Sequence, residues 1–485
     1  MGWKVIKQCF AFISLILSFL IFLTACELKK ENENSDSQKY AKNTDITFSS
    51  KGVPAGNDSN YEINLNMAPD GEFHVESTVV IKNTSKDEWE ELVFYFIPNI
   101  FTENTARELS YPIESPAKVK FHKVENEGEQ MNFTLVKDTL TIQLNHKIEP
   151  DNGVTIDFSY DFTLPDKGLR FTENNGNYFL SQFYPMLATY RDHKWNKEDY
   201  RLNGETYHTA FSSFKVSYII PDGYTIASTS NDDVFPSEIK GEFEVSNIKE
   251  VFLAILKNPI VTQKANEDVE IRIFGFEDQQ DLYTEITEVA SDAFNYFEKT
   301  IGPYPFTQLD IVIDSLGMEY PGIITANTIY GSGPVNPDAL KSIIVHEIAH
   351  QWFYGVISND PYHDAWLDEG FADFATGLYQ FSKSKEEIPY ETMNEQLAHL
   401  EPLPVNLPLD KYEKNQSSYI YGKSSTMLFN LFEDRGGIKE AEKFLGKYYE
   451  CYKYKEINTE EFVRFSKHYF NLKDNSIFEE WLLLE

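Results

Sequence analysis

The chain has little cysteine: three residues in 485, at Cys9, Cys26 and Cys451. That count excludes a disulfide framework, so core burial and any bound metal must hold the fold. Positive charge is also short. Lys and Arg number 43 against 77 Asp and Glu, a formal charge of −34. Phosphate backbones are gripped by clustered cations, so no nucleic-acid partner is expected. Internal repeats are missing, and long apolar runs are missing beyond the N-terminus. Histidine is scarce, with ten residues, so a histidine pair at functional spacing carries information. What is present is apolar and aromatic bulk, at 41% and 15% of residues, enough for two or three domain cores and too much for a disordered chain.

The one long apolar run lies at the start. Lys4 and Lys7 precede Phe10–Leu23, which is short for a membrane span and ends in Leu23-Thr24-Ala25-Cys26. This resembles a bacterial lipobox. The expectation is a signal peptide over residues 1–25 and lipid on Cys26, with an uncleaved N-terminal anchor as the alternative. Either places the body on the outer face of the cell membrane. Loss of Lys4 and Lys7 takes the charge from −34 to −36. With Cys26 lipidated, Cys451 has no disulfide partner. Residues 26–45 are polar and charged, and read as a flexible tether.

From 46 to 257 the pattern is β. Phe73, Val75, Val79 and Ile81 share one parity, Asp70-Gly71 marks a turn before them, and Ile63, Leu65 and Met67 alternate on the other side. Leu140, Ile142 and Leu144 alternate again, as do Val154, Ile156, Phe158 and Tyr160, then Val216, Tyr218 and Ile220. Many short strands imply a large antiparallel sheet or sandwich. Over 258–485 the character changes. Two strand patterns, at 269–273 and 311–313, flank Leu282, Ile286, Val289, Ala293 and Phe297 at helical spacing, and helical patterns continue to the C-terminus. This half reads as a mixed, mainly helical α/β domain.

The segment His346-Glu347-Ile348-Ala349-His350 carries the chemistry. On a helix, side chains at i and i+4 share a face, so both imidazoles can reach one Zn²⁺. Glu347 lies beside them, placed to take a proton from a metal-bound water. Asn336-Pro337 supplies a cap and first turn, and Gly355 is expected to end the helix. A second helix through Trp366–Phe374 brings in Glu369, whose carboxylate in an apolar stretch needs a partner such as a metal. Asp368 and Asp373 flank it, and either can accept a hydrogen bond from a ligand imidazole. His363 lies outside ligand spacing. His74 and His208 show no partner pattern and are given no role.

Gly302-Pro303-Tyr304-Pro305-Phe306, Gly317-Met318-Glu319, the histidine motif and Trp366-Leu367-Asp368-Glu369-Gly370-Phe371-Ala372 occur in that order. Together they resemble the aminopeptidase N family of gluzincin zinc peptidases. The resemblance implies a saddle-like antiparallel β domain followed by a thermolysin-like catalytic domain, here ending before the family's helical C-terminal domain. It implies one Zn²⁺ held by His346, His350 and Glu369, with Glu347 as general base. Gly317, Met318 and Glu319 would form the exopeptidase strip, Glu319 holding the substrate's α-amino group, with Gln182 of Leu180-Ser181-Gln182-Phe183 contributing. Tyr421 would stabilise the oxyanion, though Tyr419 stands close by in sequence. Two positions depart from the family pattern: Tyr320 replaces an Asn, and Ser424 replaces a Gly.

The expected function is a zinc aminopeptidase trimming extracellular peptides that have a free N-terminus. A zinc endopeptidase with an open cleft is the alternative within enzymes. A non-catalytic peptide-binding lipoprotein is the alternative outside them, and the presence of both Glu347 and Tyr421 disfavours it.

Overall fold

The computed structural model describes residues 48–106, 113–201, 204–314, 317–327 and 336–484. The leader, Cys26 and the whole of the tether over residues 26–45 lie outside them.

The N-terminal half is built on a seven-stranded sheet. Its strands are β1 (Asn57–Met67), β2 (Phe73–Asn83), β3 (Val119–Asn126), β4 (Gly153–Phe162), β5 (Ser212–Ile219) and β6 (Lys240–Ile248), in the order β6-β5-β1-β2-β4-β3, with the short strip Glu129–Gln130 at the edge. Strict alternation of buried and exposed residues along β1 follows from the period of two. It sends Tyr61, Ile63, Leu65 and Met67 inward. A second sheet, which includes Trp89–Tyr95 and Thr139–Ile148, packs on that inner face, where Phe94 meets Phe158 edge to face at 5.6 Å. A third sheet places Phe171–Asn174, Asn177–Ser181, Phe252–Lys257 and Tyr224–Ser228 side by side.

The expectation of an antiparallel sheet needs one correction. β1 and β5 are parallel, with Ile63 opposite Val216 and Leu65 opposite Tyr218. Strand alternation cannot reveal this, because β5 returns to the free edge of β1 after a crossover through the other sheets.

The second half opens with a four-stranded sheet, β7 (Ile260–Asn266), β8 (Val269–Gly275), β9 (Gln308–Val312) and β10 (Ile323–Thr325), with β8, β9 and β10 mutually parallel. Helix α1 (Gln280–Thr300) crosses between β8 and β9. Beyond it come α2 (Pro337–Ala349), α3 (Glu369–Ser384), α4 (Ser424–Asn430), α5 (Gly437–Tyr452) and α6 (Thr459–Phe470). Aromatics join them: Phe294 of α1 lies 5.8 Å from Trp352, and Phe371 of α3 stacks on Tyr448 of α5 at 4.9 Å. No helix among the described residues is long and apolar enough to cross a membrane.

Arg272 of β8 is fully buried opposite Asp310 of β9 and binds it through two nitrogens, at 2.7 and 2.6 Å. It also donates to the Asp233 carbonyl of the N-terminal half. Arg272→Ala leaves Asp310 charged and dry. A loss of about 3–5 kcal/mol in chemical denaturation is expected.

Candidate metal and catalytic site

Asn336 caps α2: its side chain accepts from the amides of Asp338 and Ala339, and Pro337 occupies the first turn. The helix ends at Ala349 rather than at Gly355. Past His350 the chain tightens into turns, and Tyr354 adopts φ 113°, a conformation costly for a bulky side chain. That turn aims the Phe353 carbonyl at His350 Nδ1, 3.0 Å away. On the neighbouring imidazole, His346 Nδ1 lies 2.9 Å from Asp373 Oδ1. Both Nδ1–H groups are therefore committed to acceptors, and both Nε2 lone pairs point inward.

Glu369, the first residue of α3, completes the set. His346 Nε2 and His350 Nε2 are 3.0 Å apart, and Glu369 Oε2 lies 3.3 Å from the first and 3.1 Å from the second. Three acceptors facing one another at this range repel unless a cation sits among them. Bonds of about 2.0–2.1 Å to a tetrahedral zinc give ligand–ligand edges of about 3.3–3.4 Å, so the donor set fits Zn²⁺. In the metal-free chain protons must take that role. Burial disfavours the imidazolium, but the carboxylates of Asp373 and Glu369 outweigh it and raise His346 well above the usual histidine range. Metal loading therefore releases protons.

Glu347 is buried beside the ligands, and burial raises its carboxyl to about 7, opposed by His346 and His350. Gly317 makes room for it: a Cβ there would come within 2.7 Å of Glu347 Oε1. Met318 pairs antiparallel with Thr325 through two backbone hydrogen bonds, so Gly317–Glu319 forms an extended strip along β10. Glu319 is buried, and burial followed by the charges of Glu205, Glu347 and Glu369 drives its carboxyl well above the ordinary range. Tyr320 is buried. It stacks on Phe252 at 3.9 Å and 4°, and Phe252 is paired in register with Ser181, the residue before Gln182. Gln182 is buried at φ 53°, and its Nε2 has no hydrogen-bond partner among the described residues.

Tyr421 lies in a π-helical turn, Ser418–Lys423, and its hydroxyl donates to Glu369 Oε1. Tyr419 instead donates to the Glu401 carbonyl at 3.1 Å, which removes it as a rival. The Ser424 departure has a local account. A Cβ on Gly370 would meet Ser424 Cβ at 2.5 Å, so Gly370 lets α3 and α4 approach and brings Glu369 to Tyr421.

Of the two flanking aspartates, only Asp373 meets a ligand imidazole. Asp368 caps α3 through the Glu369 amide at 2.7 Å and accepts from Asn359 at 3.0 Å. One turn of helix places Asp373 against the imidazole, whereas Asp368 precedes the helix and faces its amides. His363 is half-exposed beside Asp360, consistent with a surface role. His208, given no role from sequence, is buried between Glu456 at 2.9 Å and Asp360 at 3.3 Å. Three further residues near the site had no local signal: Arg170, paired with Glu205; Glu205 itself, whose Oε2 is buried without a partner among the described residues; and Glu250, held by Tyr207 and Tyr354.

Two histidines and a glutamate beside a buried carboxylate form the donor set of a mononuclear zinc centre. Residues 285–481 match the model described as the Peptidase family M1 domain. Among curated relatives, glutamyl aminopeptidase of Bos taurus is 31% identical over 26% of this chain and 14% of its own length. Tricorn protease-interacting factor F2 of Thermoplasma acidophilum is 25% identical over 42% of this chain and 28% of its own length. The chain thus spans under a third of either relative. A solved M1 zinc metallopeptidase from Deinococcus radiodurans shares the fold, with TM-score 0.61 and 14% identity over 90% of this chain and 96% of that one. That likeness covers a β-rich N-terminal part and a helical C-terminal part in one two-domain fold.

Proposed function

We propose that the protein is a zinc aminopeptidase that removes N-terminal residues from peptides outside the cytoplasm, anchored through lipid on Cys26. The carrying observation is Glu319, a buried carboxylate on a strip that abuts Glu347. A substrate ammonium is the natural partner for such a group. An aminopeptidase name on the Bos taurus relative and a solved two-domain M1 zinc metallopeptidase bound to L-arginine agree with this reading.

Bound zinc supplies a water of lowered pKa and polarises the scissile carbonyl. Glu347 takes the proton of the attacking water and passes it to the leaving amine. Glu319, helped by Gln182, holds the α-amino group so that the first peptide bond faces Glu347. Tyr421, whose hydroxyl burial keeps protonated, donates to the oxyanion.

Glu319→Ala separates this reading from an endopeptidase. Removing one partner of a buried charge pair costs about 2–5 kcal/mol, or about 30-fold and more in kcat/KM on aminoacyl-amide reporters. Cleavage of N-acetylated peptides should hardly change. Equal losses on both substrates would favour the endopeptidase.

A further inference from the structure

The outer face of the seven-stranded sheet carries a second cluster of donors, on elements separate from α2 and α3. His74 of β2 and Asp161 of β4 are direct register partners, and His74 Nδ1 lies 2.7 Å from Asp161 Oδ1. On the other side of β4, the ladder with β3 breaks between Phe121 and Lys123. His122 is the extra residue of that bulge, and its Nε2 lies 2.5 Å from Asp161 Oδ2. Bulges re-aim a side chain in this way. The imidazoles flank the carboxylate from both sides with ring centroids 6.2 Å apart. One nitrogen from each and one carboxylate oxygen fall within 4.8 Å of one another.

From this arrangement we propose that His74, His122 and Asp161 bind a second divalent transition metal ion, independent of the catalytic centre. The donor chemistry selects the metal class. Two imidazoles and one carboxylate suit Zn²⁺, Cu²⁺ or Ni²⁺ rather than the all-oxygen ions Ca²⁺ and Mg²⁺. Water completes the shell, because the three side chains are only a quarter to a half exposed yet open to solvent. The strand ladders fix the backbones, so binding needs only small side-chain rotations. The two imidazole protons move to the opposite nitrogens, and on His74 that nitrogen, Nε2, already lies 3.6 Å from Glu76 Oε1, on the side of a carboxylate. Asp157 stands on the same face, hydrogen-bonded by Thr78 at 2.7 Å, and adds to a field that attracts cations.

Equilibrium dialysis of the zinc-loaded full chain against micromolar Zn²⁺ tests the site. The wild type is expected to take up a second equivalent. The double variant His74→Ala/His122→Ala should keep only the first, with unchanged hydrolysis of an aminoacyl-amide reporter showing that the fold survives. His122→Gln keeps a hydrogen-bonding side chain at the bulge and should weaken the second equivalent at least tenfold. A wild type that stops at one equivalent overturns the proposal. So does a variant whose second equivalent binds as tightly as in the wild type.

Discussion

Glu347→Gln is expected to abolish turnover while leaving zinc in place. The amide is nearly isosteric, the ligand triangle of His346, His350 and Glu369 does not pass through it, and the change removes only a basic oxygen. General-base catalysis by a positioned carboxylate contributes about 10²–10⁴-fold, so kcat should fall by that factor or more. Metal analysis of the purified variant should give the same zinc content as the wild type prepared alongside it. Loss of zinc along with activity would mean that Glu347 supports the metal. The same group shapes the acid limb of the wild type. Burial places its carboxyl near 7, and only the ionised form accepts a proton. Activity should therefore fall as pH drops through that range, with the charge of bound zinc pulling the midpoint lower. That limb should vanish in the residual rate of the variant.

Tyr421→Phe is expected to lower kcat by about 10²–10³-fold with a small change in KM, the effect of deleting one oxyanion donor. The ring stays, and with it the packing 5.9 Å from His346. The hydroxyl now bonded to Glu369 Oε1 is the only atom removed. A rise in KM with kcat unchanged would place Tyr421 in ground-state binding instead. Tyr419→Phe serves as the control. Its hydroxyl binds the Glu401 carbonyl away from the ligands, so kinetics should hold.

The parts of this site that could be read from sequence are the local ones. His346 and His350 meet because they stand one helical turn apart, and Asn336-Pro337 marks where that turn begins. Glu369 could be placed by its helix, but whether Asp368 or Asp373 would meet His346 depended on where α3 starts. Alternation along β1 and β2 gave the buried face but not the parallel partner of β1, since pairing direction depends on the route of the chain. Arg170, Glu205 and Glu250 left no trace, because each acquires its setting from contacts distant in sequence. His74 and His122 were silent for a related reason. A one-residue bulge and a shared strand between them create their proximity, and no spacing rule encodes either.

The stacking of Tyr320 on Phe252 has a consequence for how this molecule could be taken apart. Phe252 belongs to the β-rich half, and Tyr320 follows the glutamate proposed to hold the substrate amine. Lys249 and Glu250, neighbours of Phe252, reach Asn359 and Tyr354 across the same seam. The two halves thus behave as one machine with a shared bearing rather than as a catalyst with an accessory. A change of curvature in the third sheet would reach the catalytic strip as an altered angle of substrate entry.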